Sequence, residues 1–334
     1  MNPDASGTAL SVPKAELHMH IEGALEPELA FECARRNGIT LPYADVDDLR
    51  RRYDFSNLQS FLDLYYTGMN VLCTAQDFTD LADSYLARVR QQGVRHAEIF
   101  FDPQAHTSRG VALETVLDGL EASLATSQER FGISTRLIAC FLRDRGPDEA
   151  MATFEALLPH TGRITGVGLD SAEDGYPPEG FAPVFARARQ AGLHLVAHAG
   201  EEGPPEYVWQ ALDVLGVDRI DHGIRAAEDP TLLRRIARDQ VPLTVCPLSN
   251  VRLRCVDTLG RHCLPQLVDT GVLTTINSDD PAYFGGYVGE NYRAVQREFG
   301  FDDTALREFA SNSIRASFLG RDERERLLAE ISAE

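Results

Sequence analysis

Eight short runs rich in aliphatic and β-branched residues recur along the 334-residue chain, each bounded by turn-forming residues. They are "AELHMH" (15–20), "VRHAEIFF" (94–101), "TRLIACFL" (135–142), "ITGVGLD" (164–170), "LHLVAHAG" (193–200), "RIDHGI" (219–224), "PLTVCPLS" (242–249) and "VLTTINS" (272–278). Amphipathic segments separate them: "AQDFTDLADSYLARVRQQ", with Thr74 as N-cap and Gly93 as stop, then "EAMATFEALLPH", "FAPVFARARQAG", "PEYVWQALDVLG" and "TLLRRIARDQ". Strand and helix alternating over short connections predict a parallel sheet, and eight such units are what a closed (β/α)8 TIM barrel requires. An open doubly wound sheet is the rival, but no GxGxxG or P-loop follows an early strand. The pattern therefore predicts an α/β chain with one barrel domain over 13–334, preceded by a flexible tail over 1–12. Roughly 70 residues lie between the first two strands, and a helical extension follows the eighth. The first insertion, including "NLQSFLDLYYTGMNVL", leaves the C-terminal end of strand one, where it would roof an active site.

The first strand carries an anomaly. Side chains two apart on a strand share a face, so Glu16, His18 and His20 point the same way. Alone, this HxH fits either a metal-binding pair or two hydrogen-bonded core histidines. Other strand ends change the balance: His198 ends strand five, His222 lies in strand six, and Asp279 and Asp280 close strand eight. Metal-capable residues thus gather at the end of the barrel where active sites are built, and three histidines with a carboxylate suit a catalytic metal that keeps a water position open. Asp279 and Asp280 are adjacent, so one can bind metal while the other addresses substrate, although a cap made by "SDDP" competes for Asp280. Glu201, three residues beyond His198, is placed to act as a general acid, whereas Glu202 reads as solvated. His96 and Glu98 form an HxE without the PCxxC of cytidine-deaminase-type zinc sites, and His96, His106, His160, His194 and His262 read as packing or surface residues.

Composition removes whole classes of chemistry. Lys14 is the sole lysine, which disfavours Schiff-base, pyridoxal and P-loop mechanisms; strand four has none to bridge two metals, so one metal is expected. The net charge, 32 − 51 = −19, is spread along the chain and repels nucleic acid and anionic membranes. Neither a signal peptide nor a long apolar run is present, and the six cysteines show no CxxC pair; a cytoplasmic protein with reduced thiols is expected. Association into a homo-oligomer is left open.

The segments "PKAELHMHIEGAL", "HAGEEGPP", "IDHGI" and "INSDDPAYFGG" resemble, in order and spacing, the adenosine and AMP deaminase family of zinc-dependent amidohydrolases, from about residue 12 to 320. The resemblance implies one Zn2+ per subunit held by His18, His20, His198 and Asp279. It also implies that Glu201 protonates purine N1, that His222 orients and helps deprotonate the attacking water, and that Asp280 bonds N7. Water would replace the 6-amino group, releasing ammonia and a 6-oxopurine.

Two departures bear on the substrate. Adenosine deaminases usually have HxDG after strand one, where this chain has Glu22; and the glycine of their "DLAGDE"-like stretch falls at Glu173, whose carboxylate is suited to accept the N9–H of a free base. Stretches such as "FLDLYYTGMNVL" and "RHAEIFFDPQAHT" look like the adenine deaminase branch of the family. The expected reaction is therefore adenine to hypoxanthine and ammonia in purine salvage. The alternatives are an enzyme for N6-substituted adenines or adenosine, and a non-catalytic binding module.

Overall fold

The computed structural model describes residues 7–53, 55 and 58–333. All eight expected strands form: β1 Lys14–His20, β2 Val94–Phe101, β3 Ser134–Leu142, β4 Gly166–Asp170, β5 His194–Ala199, β6 Arg219–His222, β7 Leu243–Val245 and β8 Thr274–Ile276. They pair in parallel in sequential order, with helices packed outside. Closure of β8 onto β1 is narrow. Its backbone pairing is one bridge, Met19 to Asp279, in which the His20 N–H donates to the Asp279 carbonyl (2.9 Å) and the Asp279 N–H to that of His18 (3.1 Å).

Several expectations shift at the edges. The seventh strand ends at Val245 because Pro247 opens a helix, Pro247–Arg252, for which its fixed φ and missing N–H suit the first turn. Thr74 caps the helix Ala75–Val89 in a reciprocal box with Asp77, and Gly93 stops the following 3-10 turn at φ 79°. Residues 1–6 of the expected tail lie outside the described residues, while Gly7–Ser11 form a short helix with Ala9 and Val12 buried beside it. Among the described residues no helix is long and apolar enough to cross a membrane.

The barrel interior is layered. Phe100, Ile138, Cys140 and Val196 make a small apolar plug inside the sheet, separate from the large core between sheet and helices. On the N-terminal side of the plug, Glu98 receives Arg219 Nη1 (2.7 Å), His96 Nε2 (3.3 Å) and the Phe318 backbone N–H (2.5 Å). Arg219 also donates to the Leu17 carbonyl (3.0 Å), so one buried ion pair joins β1, β2, β6 and the C-terminal extension.

Burial alone would raise the Glu98 pKa, but the Arg219 charge and the His96 hydrogen bond outweigh it and bring it from 4.5 to about 2. A depressed carboxyl stabilises the fold above its unfolded pKa and loses that contribution as pH falls through the folded value. Glu98→Ala should strand the Arg219 charge and cost about 3 kcal/mol in urea unfolding at pH 7. The gap between wild type and variant should narrow as pH falls from 4.5 toward 2; a pH-independent gap would contradict this reading.

Candidate active site

The chemistry-bearing residues converge because three strand ends break their own pleat. Ser171, His222 and Asp279 have φ of 69°, 61° and 66°, left-handed values that cost a non-glycine residue about 1 kcal/mol or more. Each follows or ends a strand, and the reversal lets neighbours that would alternate serve one space. Asp279 and Asp280 therefore both line one cavity, and Asp221 and His222 both have side chains buried among the site histidines. Gly23 is the counterpart on the β1 side: a Cβ there would fall 2.0 Å from Asp280 Oδ1.

Ligand-capable atoms of His18, His198, His222 and Asp279 all lie within 4.8 Å of one another, every residue buried. His20 Nε2 faces the same point, 3.2 Å from His198 Nε2 and 3.6 Å from Asp279 Oδ1. Burial holds His20 (about 4), His198 and His222 below the usual imidazole pKa, so they are neutral, the form that binds metal. Burial opposes ionisation of both Asp279 and His18, but each offsets this for the other, so the Asp279 pKa falls well below the usual range and that of His18 rises.

Hydrogen bonds assign the ring tautomers. The Thr244 hydroxyl donates to Asp221 Oδ1 (2.7 Å), so it accepts from His18 Nδ1 (3.0 Å), and the buried His18 Nε2 is left to face Asp279 Oδ1 (3.5 Å). A second chain starts from the backbone. The Leu264 N–H donates to His262 Nδ1 (3.0 Å), so neutral His262 carries its proton on Nε2 and donates to Asn250 Oδ1 (3.1 Å). Asn250 Nδ2 then donates to His222 Nδ1 (3.2 Å), which places the His222 proton on Nε2, facing Glu201 Oε2 (3.4 Å) and Asp279 Oδ2 (3.6 Å). An Nε2 that carries a proton is no ligand, whereas His20 directs Nδ1 at Asp170 Oδ2 (3.5 Å) and keeps Nε2 for the cluster. The donor set is thus chemically suited to one divalent metal, with buried imidazole nitrogen aimed into it.

Glu201 lines the cavity, and burial together with the charges of Asp279, Glu202 and Glu173 raises its pKa well above the ordinary value. Its carboxyl stays protonated and can donate. Asp280 is raised likewise by burial and by Asp279.

Glu173 and Glu22 stand elsewhere than the sequence suggested, and neither lines the cavity. Glu173 accepts four backbone N–H groups, from Gly200 (2.6 Å), Glu201 (3.0 Å), Glu202 (2.9 Å) and Gly203 (2.9 Å). It is an anchor for the turn that carries Glu201, and a Cβ on Gly203 would fall 2.6 Å from its Oε1. Glu22 accepts from the His106 ring (2.7 Å) and the Asp102 N–H (3.2 Å), behind the cavity wall. Burial would raise the Glu22 pKa, but His106 brings it below the ordinary value.

The cavity, about 440 Å³ including its open mouth, is roofed by Phe61, Leu62, Tyr65 and Tyr66 of the helix Leu58–Met69, the insertion after β1. Asp221, Thr244, Asn250 and His262 were not singled out by sequence reasoning as site residues. Only Asp221, next to His222 in "IDHGI", stood beside a recognised motif; the other three act through contacts across the fold.

A (β/α)8 barrel with a buried His/Asp cluster at its C-terminal mouth defines a metal-dependent amidohydrolase. The adenosine deaminase family profile matches residues 13–334, and the chain belongs to that family. It is 62% identical over 326 residues to an adenine deaminase of Streptomyces coelicolor, covering 97% of this chain and 96% of that one. The crystal structure of an adenine deaminase from Arthrobacter aurescens superposes with a TM-score of 0.95 at 55% identity, covering 97% of this chain and 99% of that one. An amidohydrolase from Burkhoderia ambifaria with bound zinc gives 0.88 at 28% identity, covering 100% and 96%.

Asn250→Leu should release the tautomer of His222 without touching a metal donor. Turnover is expected to fall at least about tenfold with metal content and KM little changed; wild-type kcat in that variant would show that the relay does not set the ring.

Proposed function

We propose that this protein is a metal-dependent hydrolase that converts adenine to hypoxanthine and ammonia, with one zinc ion per subunit held by His18, His20, His198 and Asp279. The observation that carries this reading is the placing, within one buried cavity, of a His/Asp cluster and a carboxyl kept protonated, Glu201. Full-length similarity to adenine deaminases at 62% and 56% identity supports the substrate class.

A divalent metal at the cluster would supply an acidified water at neutral pH. The chain's own groups divide the remaining work. His222, with its proton on Nε2, donates to the attacking oxygen and orients it, while Asp279 Oδ2, 3.6 Å from that nitrogen, can take the proton the water gives up and pass it to the 6-amino group, which leaves as ammonia as the C6–N6 bond breaks and the hydroxyl proton returns to Glu201. Asp279 Oδ2 already accepts from the Ser249 hydroxyl (2.7 Å), which holds the carboxylate in place.

Glu201 delivers its proton to N1 of the purine, so that charge developing on the ring as C6 becomes tetrahedral is neutralised. Asp280, with Oδ1 buried and unpartnered, addresses N7. Glu173 and Glu22 act behind the reacting groups, the first on the Glu201 turn and the second on the Asp102 backbone. The aromatic roof over Leu58–Met69 excludes bulk water from the base.

Glu201→Gln should keep its metal and lose at least about a hundredfold in kcat, because the amide fills the same space without an acidic proton; a rate near wild type would refute the proton-donor role. Substrate class is tested by steady-state kinetics on adenine, N6-methyladenine, isopentenyladenine and adenosine with the zinc-loaded protein. Adenine is expected to have the highest kcat/KM; a higher value for either N6-substituted base, or for adenosine, would replace adenine with that substrate.

A further inference from the structure

Beside His20, the cavity wall holds three buried polar atoms that lack a well-formed hydrogen bond, Asp102 Oδ1, Asp170 Oδ1 and Ser171 Oγ, with the Asp102 and Asp170 carboxyls next to each other and the Tyr66 hydroxyl next to Ser171. Asp102 follows the last residue of β2, and Asp170 and Ser171 stand at the end of β4, so two separate strand ends contribute. Asp170 has work of its own, since its Oδ2 lies 3.5 Å from His20 Nδ1. Asp102 and Ser171 have none that the catalytic assignments use. Unpaired buried polar atoms are unfavourable unless something completes them, and the backbone at Ser171 is held in a left-handed conformation to present this edge.

We infer that Asp102 and Ser171 form the subsite for the N3/N9 edge of an unsubstituted purine base: the Asp102 carboxyl accepts the N9–H and the Ser171 hydroxyl donates to N3. This rests on the adenine reading above, because it takes the base to be oriented with N1 at Glu201, C6 toward the His/Asp cluster and N7 at Asp280. That orientation occupies three positions of the ring system and leaves N3 and N9 to face the polar cavity residues that no catalytic assignment uses, Asp102 and Ser171. The match is one of donors and acceptors. A free base offers one donor, N9–H, beside one acceptor, N3; the wall offers a carboxyl oxygen beside a hydroxyl.

A nucleoside carries carbon on N9 and has no hydrogen to give. Asp102 Oδ1 would then stay buried and unpaired against the sugar, and a site built to bond a substrate N–H rejects an analogue that lacks it more strongly than shape alone does. Selectivity for the free base is thereby assigned to Asp102 rather than to Glu173, whose oxygens are turned to four backbone amides.

The test compares kcat/KM for adenine and 9-methyladenine in the metal-loaded wild type, Asp102→Ala, Asp102→Asn and Ser171→Ala. Wild type should prefer adenine strongly. Asp102→Ala should lose at least about tenfold on adenine while 9-methyladenine is unchanged or improved. Asp102→Asn, which keeps an acceptor oxygen of the same size, should retain more of the preference, and Ser171→Ala should weaken binding of both substrates. An unchanged adenine value in Asp102→Ala overturns the inference, even if 9-methyladenine improves, because only steric exclusion would then remain.

Atoms of His20, Asp102 and Asp170 also lie within 4.8 Å of one another. Two metal ions per wild-type chain, falling to one in Asp102→Ala, would therefore assign this wall to a cation and overturn the inference as well. If the Asp102 variants do not fold, product inhibition of the wild type decides: hypoxanthine should bind at least about tenfold tighter than 9-methylhypoxanthine, and equal inhibition is the contrary result. Failure of the adenine reading itself would look different, as absence of adenine turnover in the wild type.

Discussion

The backbone pair that joins β8 to β1 is the constraint on which the site depends. One residue, Asp279, donates its N–H to the His18 carbonyl and accepts the His20 N–H. Side chains bridge the rest of that seam, with Asn277 Oδ1 accepting the Leu17 N–H (2.9 Å) and Glu16 Oε1 the Ser278 N–H (3.2 Å), so its backbone pair falls at the same three residues whose side chains reach the His/Asp cluster. The left-handed φ of Asp279, past the end of β8, is part of this arrangement, since it lets Asp280 turn into the cavity as well. Closure of the fold and construction of the donor set are therefore one event.

What the seam places, buried hydrogen bonds then specify. Imidazoles next to a carboxylate could share protons in several ways, and most of those arrangements would leave no open lone pair at the cluster. Thr244 and Asp221 on one side, and the run from Leu264 through His262 and Asn250 on the other, reduce the choice to one proton position each for His18 and His222. The second run begins at a backbone N–H, which can only donate, so the direction of every later bond follows. His222 is left with its proton on Nε2, directed at Glu201 and Asp279.

The fold was legible because each strand is a short apolar run and each helix carries its own punctuation, as at Thr74 and Gly93. The convergence of His18, His20, His198 and Asp279 was legible for a related reason: period-two alternation on β1 and the position of strand ends need no tertiary information. What could not be read was anything that depends on a break in the pleat or on contacts distant in sequence. The left-handed turns at His222 and Ser171 leave no distinctive residue type behind. Glu173 shows the limit most plainly: its position suggested a substrate contact, yet the Gly200–Gly203 turn folds over it and directs four N–H groups at its oxygens.

If the metal completes a donor set assembled across the barrel seam, it ties β1, β5 and β8 together and must stabilise the folded chain by mass action. The most direct test is the thermal unfolding midpoint of chelator-treated protein with and without stoichiometric zinc, for wild type and Asp279→Ala. The account predicts a clear upward shift with zinc in the wild type and none in the variant. Equal midpoints with and without zinc in the wild type, or the same shift in Asp279→Ala, would contradict it.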